Sequence, residues 1–173
     1  MSKHRISLLL SIVLLLLGAV SAFAQSGSFS DPNVDYSFDI PDERWKLTVK
    51  PSATSPNVEY VFIDRTDGHL EVRKLAVQKD ALMSDIIRTE ELRLQFQPGY
   101  VAGKEENFRG KLTGTVFNYE FIRSGRPMAG RLYFLRVNDT TIYVLRFTAF
   151  RDKLRAIRNQ TDSIGRTFGV KKI

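Results

Sequence analysis

The chain has 173 residues, with 26 lysines and arginines against 19 aspartates and glutamates, two histidines and no cysteine. The absence of cysteine excludes disulfides, thiolate metal sites and cysteine nucleophiles together. Charge divides unevenly: residues 25–100 sum to −4 and residues 101–173 to +9, an asymmetry that suits a face for anionic partners such as phosphate, acidic glycans or lipid heads, or else two differently solvated halves of one sheet.

Lys3 and Arg5 precede an apolar run from Ile6 to Val20, and Ala22-Phe23-Ala24 supplies small residues where a signal peptidase reads them. The run holds about 15 apolar residues, short of the ~20 that a spanning helix needs. Residues 1–24 are therefore expected to be a cleaved secretory signal peptide, and the protein to be exported and soluble in the periplasm or outside the cell. His4 leaves with that leader, so His69 is the remaining histidine. Residues 25–34 are polar and rich in Ser and Gly, a flexible lead-in. Residues 35–173 are long enough for one domain with its own core.

Tyr36–Ile40 and Trp45–Val49 alternate apolar and polar residues, as half-buried strands do. Val58–Ile63 and Leu70–Val77 are β-rich and flank Asp67-Gly68, a dipeptide suited to a hairpin turn, which makes His69 an exposed turn residue. Asp80 to Gln97 is rich in helix formers, with Asp80 or Ser84 as cap and Pro98-Gly99 as stop. Tyr100–Phe108 reads as a weak strand. Thr115–Arg123, Ala129–Val137 and Thr141–Ala149 follow as three strands, joined at Ser124–Pro127 and Asn138-Asp139. From Arg151, the residues Leu154, Ile157, Thr161, Ile164 and Phe168 recur at helical spacing, and Gly165 and Gly169 weaken the last turns.

A four-residue loop at Ser124–Pro127 pairs Arg123 with Met128, and a second turn pairs Val137 with Ile142. In that register one face of the three strands carries Phe117, Tyr119, Phe121, Leu132, Phe134, Tyr143, Leu145 and Phe147. The other carries Val116, Ile122, Leu135, Val137, Ile142 and Val144 at one end, and Asn118, Glu120, Arg131, Tyr133 and Arg146 at the other. Apolar residues on both faces call for cover on both, hence an α+β fold with helices packed on a mainly antiparallel sheet. The five polar residues form a candidate anion-binding cluster, with cross-strand ion pairing of Glu120 and Arg131 as its purely structural reading. A slip of one residue dissolves the cluster.

No catalytic constellation emerges. No serine lies in a nucleophile-elbow sequence, Asp64–Gly68 lacks the spacing of a calcium loop, and no phosphate-cradling glycine motif appears. No cofactor or metal is expected, and nucleic acid is not an expected partner.

The opening Tyr36-Ser37-Phe38-Asp39-Ile40-Pro41 followed by Trp45, and the later aromatic strands around Gly125-Arg126-Pro127-Met128-Ala129-Gly130-Arg131, resemble the PsbP-like superfamily. The resemblance implies an antiparallel sheet between helices, with Phe38, Pro41 and Trp45 as scaffold, and a role as a non-catalytic binding or assembly module. An envelope or extracellular protein is then the expected partner. A small anionic ligand or lipid head, bound through the basic half, is the alternative.

Overall fold

A computed structural model describes residues 27–171; the expected signal peptide at 1–24 lies outside the described residues. Ten strands and three helices succeed one another there: β1 (Gly27–Ser30), β2 (Tyr36–Ile40), β3 (Trp45–Val49), β4 (Val58–Phe62), β5 (Asp64–Ala76), α1 (Met83–Leu94), β6 (Val101–Arg109), β7 (Thr113–Arg123), β8 (Arg126–Asn138), β9 (Thr141–Phe150), α2 (Arg151–Ala156), α3 (Arg158–Thr167) and β10 (Gly169–Val170). Seven strands form an antiparallel sheet in the order β3-β4-β5-β9-β8-β7-β6, and β1-β2-β10 form a second, smaller one.

The large sheet separates two apolar cores. One gathers Phe117, Tyr119, Phe121, Leu132, Phe134, Ile142 and Val144 with Ile86, Ile87 and Leu94 of α1. The other gathers Val116, Tyr133, Leu135, Tyr143, Leu145 and Phe147 with the small sheet and with Leu154, Ile157, Ile164 and Phe168. Mainly antiparallel sheet is thus the dominant structure. The expected layering, helix on either side, understates the strands: much of the cover on the second face is itself a sheet. It includes Gly27–Ser30, which falls in the expected lead-in. Phe29 is the reason, since its ring is 5% exposed and stacks on Phe38 at 5.0 Å.

The three-strand register differs from the expected one in two instructive ways. Ser124 and Gly125 have φ of +50° and +73° and make a two-residue turn, so Arg123 pairs with Arg126. Consecutive left-handed residues match the twist of the flanking strands. This moves β7 by two residues against β8, and the side-chain faces are kept. On the other side Asn138 pairs with Thr141, but a bulge between Arg136 and Asn138 sets the rest of the ladder to Arg136↔Ile142 and Leu132↔Arg146. One extra residue in a strand reverses the facing of everything beyond it. Tyr143, Leu145 and Phe147 therefore lie on the face opposite to the expected one, and Ile142, Val144 and Arg146 change places with them.

Three local readings are also corrected. The β4–β5 turn is at Ile63, with φ +64°, and Asp67-Gly68 belongs to a bulged-out stretch of β5. Gly68 serves close approach, because a Cβ there would lie 2.8 Å from Phe62 Cβ and 2.9 Å from Ile157 Cδ1. His69 consequently sits on a strand, its Nε2 3.0 Å from Glu59 Oε2. Neither Asp80 nor Ser84 caps α1, whose first residue follows Leu82 without a side-chain cap. The C-terminal helix is broken at Ile157, whose side chain is buried beside Gly68. Trp45, the expected packing anchor, is 3% exposed and donates Nε1–H to Gln160 Oε1 at 2.8 Å.

Candidate functional site

An open groove of about 500 Å³ runs between the start of β6, the β7–β8 ladder and the helices α2 and α3. Ala129, on the groove side of the sheet opposite Glu120, leaves room in its floor, whereas Gly130 faces the α1 side, where a Cβ would lie 2.1 Å from the Tyr119 ring. Gly103 belongs to an irregularity where β6 bulges against β7; a Cβ at 103 would lie 2.6 Å from the carbonyl oxygen of Asn118. Four arginines line the groove, Arg131, Arg151, Arg155 and Arg158, and three carboxylates pair with them: Glu120 with Arg151, Asp162 with Arg131, and Glu106 with Arg158 and, at 3.7 Å, with Arg131.

Arg131 is the fixed member. It is 6% exposed, and burying a guanidinium is tolerated only when its donors are satisfied. Its Nε donates to Tyr133 Oη at 2.8 Å, Nη1 to Asn118 Oδ1 at 2.7 Å and Nη2 to Asp162 Oδ1 at 2.8 Å. Tyr133 in turn donates to Asp162 Oδ1 at 2.5 Å and lies 2.9 Å from Thr161 Oγ1. Burial works against the charge of Arg131, yet Tyr133 and Asp162 hold its pKa above the ordinary arginine value. Burial likewise pushes the Tyr133 phenol well up, so it stays a neutral donor. The result is a guanidinium that stays protonated in the groove floor, its charge offset by Asp162 and, at 3.7 Å, by Glu106.

The rim is looser. Arg151 donates to Glu120 Oε2 at 3.2 Å, and Arg158 to Glu106 Oε2 at 3.2 Å, with all four side chains about half exposed. Exposed pairs of this kind contribute roughly 0–1 kcal/mol and exchange readily for another anion. Arg155, also exposed, has no carboxylate partner among the described residues. Arg151 and Arg155 follow one another at i and i+4 on α2, so like charges are stacked there at a cost in helix stability, and Arg158 opens α3 beyond the break at Ile157.

Of the five residues expected to converge, Asn118, Arg131 and Tyr133 meet in one hydrogen-bonded network. Glu120 lies on the same face of the sheet, opposite Ala129, and pairs with Arg151 and not with Arg131. Arg146 is not among them. The bulge in β8 turns it to the α1 side, where its Nε donates to Tyr119 Oη at 3.2 Å and its Nη1 lies 3.5 Å from Glu71. The reading from residues missed Arg151, Arg155, Arg158 and Asp162. The recurrence of arginine at 151, 155 and 158 in the C-terminal segment is the signal that marks the first three.

Among the described residues no group of three or more His, Cys, Asp and Glu side chains is placed to hold a metal ion, and no helix is long and apolar enough to cross a membrane.

No family model matches the chain, and no curated protein matches it. Solved structures do. Cyanobacterial PsbP (CyanoP) from Synechocystis is similar at a TM-score of 0.57 and 15% identity, over 88% of this chain and 96% of that one. LpqN of Mycobacterium tuberculosis, a protein involved in cell envelope biogenesis, is similar at 0.55 and 12%, over 86% and 92%. A Pseudomonas aeruginosa protein of unknown function is similar at 0.53 and 17%, over 86% and 99%. The fold is therefore PsbP-like, in agreement with the resemblance carried by the Tyr36–Trp45 segment and the aromatic strands. Likeness at such identities transfers architecture and not function.

Proposed function

We propose that the chain is a non-catalytic binding module of the cell envelope, exported by its leader, and that it holds a small anionic ligand in the arginine-lined groove. The observation that carries the reading is Arg155, an exposed guanidinium with no carboxylate partner among the described residues, in a groove whose other rim arginines, Arg151 and Arg158, are weakly paired. Guanidinium groups offer a planar fork of donors that matches phosphate and carboxylate. A groove of this size suits a small molecule. The envelope setting draws support from the leader pattern and from the likeness to LpqN. The non-catalytic reading draws support from the placement of His69, which is engaged with Glu59 and does not line the groove.

An envelope protein as partner is the less favoured reading of this site, because a groove of this size lined by arginines whose carboxylate partners are few and mostly exposed suits a compact anion. Calorimetric titration with glycerol phosphate tests the proposal. Binding is expected to weaken steeply with added salt, and Arg155→Ala to lower affinity about tenfold, the loss of one charge-assisted hydrogen bond. Unchanged affinity in Arg155→Ala, Arg151→Ala and Arg158→Ala alike, or turnover of the phosphoester, contradicts it.

A further inference from the structure

The end of the molecule around the β7–β8 turn carries four apolar side chains that remain uncovered among the described residues. Phe96 is 89% exposed, Val101 60%, Leu92 54% and Ile122 44%. Val101, Ile122 and the segment that follows Phe96 meet there, while Leu92 lies on the side of α1 away from its buried Ile86, Ile87 and Leu94. The Ile122 N–H donates to the carbonyl of Pro98 at 2.7 Å, and a Cβ on Gly99 would lie 2.8 Å from Ile122 Cδ1. Val101 opens β6 opposite Glu120, two residues from Ile122. Leu92 and Phe96 stand one turn apart where α1 ends.

Arginines stand close by, with Glu120 and Asp152 between them. Arg123 and Arg126 flank the turn; each guanidinium stacks on a ring of its own sheet, Arg123 over Phe121 at 5.3 Å and Arg126 over Phe150 at 3.6 Å. Neither has a carboxylate partner among the described residues. Arg151, next to Phe150 and weakly paired with Glu120, leads from there into the groove.

We propose that this end docks on an anionic lipid surface, with Phe96 and Ile122 entering the boundary between headgroups and acyl chains while Arg123, Arg126 and Arg151 meet lipid phosphates. Single apolar side chains on turns and strand ends, rimmed by basic ones, suit the layered polarity of a bilayer surface. So few apolar side chains fall short of the ~800 Å² per partner that a stable protein interface takes. The inference goes beyond the groove reading, since the docking residues other than Val101 and Arg151 lie outside the groove.

Residues 27–171 contain both sheets and both cores, so the chain from Gln25 onward is the species to test. Sedimentation with phosphatidylcholine vesicles is compared with sedimentation on a three-to-one mixture of phosphatidylcholine and phosphatidylglycerol. Retention on the anionic vesicles alone is expected. Phe96→Ser and the pair Arg123→Gln with Arg126→Gln should each weaken it about tenfold. Phe96→Trp should show a blue-shifted emission on anionic vesicles, above the constant signal of buried Trp45. Equal retention on neutral vesicles, unaltered retention of Phe96→Ser, or an unshifted Phe96→Trp emission overturns the proposal. Binding to polyglutamate without binding to vesicles also overturns it, in favour of an acidic protein. Glycerol phosphate binding that survives in Phe96→Ser while vesicle binding is lost keeps the groove and the docking end apart.

Discussion

Arg131 and Arg155 line the same groove in opposite states. The first has its donors taken up by Tyr133, Asn118 and Asp162, and the second faces solvent. Arg131→Ala leaves Asp162 and Tyr133 without their shared donor, and should cost about 2–4 kcal/mol in chemical denaturation, discounted for the partial exposure of Asp162. Arg155→Ala should stay within about 0.5 kcal/mol of the parent protein in the same experiment. A loss at Arg155 equal to that at Arg131 would mean that the rim, too, is structural. Asp35 offers a test by pH. Burial raises its pKa, but the Tyr143 hydroxyl and the Lys74 ammonium at 2.9 Å outweigh burial and hold the carboxyl below its ordinary value. A carboxyl depressed in the folded state adds stability above its unfolded pKa of about 3.9, and that stability is lost as pH falls through the folded value. Asp35→Asn should therefore be less stable than the parent at neutral pH, and the gap should close as pH falls below ~4. A gap that persists unchanged in acid contradicts the assignment.

Among the elements, β7 to β9 show what a sequence does and does not encode. Alternation of Phe117, Tyr119 and Phe121, and of Leu132 and Phe134, announces strands and assigns their faces correctly. The Ser124-Gly125 turn is two residues shorter than expected, an even change that leaves those faces intact. The bulge beside Val137 is odd, and it turns Arg146 away from Arg131. Nothing local marks it, because Val137 is as good a strand residue as its neighbours; the bulge is legible only from how β8 and β9 pack on either side. Gly165 is a similar case. From sequence it weakens a helix; in the fold it lets α3 approach the sheet, since a Cβ there would lie 2.9 Å from Tyr133 Cδ1 and 3.0 Å from Phe108 Cζ. Gly165→Ala should thus lose about 1–3 kcal/mol through overpacking, where helix propensity alone predicts a gain of nearly 1 kcal/mol. The sign of the change, read from thermal unfolding, decides between the two.

For the molecule as a whole, composition and pattern led to the architecture, and the comparisons agree on a PsbP-like fold. The site was legible in part. The aromatic strands place Asn118, Arg131 and Tyr133 on one face, but only tertiary contact brings Arg151, Arg155 and Arg158 down over them from the C-terminal helices. The net +9 of residues 101–173 announced an excess of cations without locating it; the fold concentrates four of them at one groove. Arg146, on the far face and engaged with Tyr119 and Glu71, becomes a control built into the same protein. The most direct test of the anion site is a titration of isotopically labelled protein with glycerol phosphate, following the Nε–Hε resonances of the arginines. The account predicts that Arg155 shifts most, with Arg151 and Arg158 following and Arg146 unmoved. Resonances of Arg155 that stay in place, or that shift no more than Arg146, would contradict it.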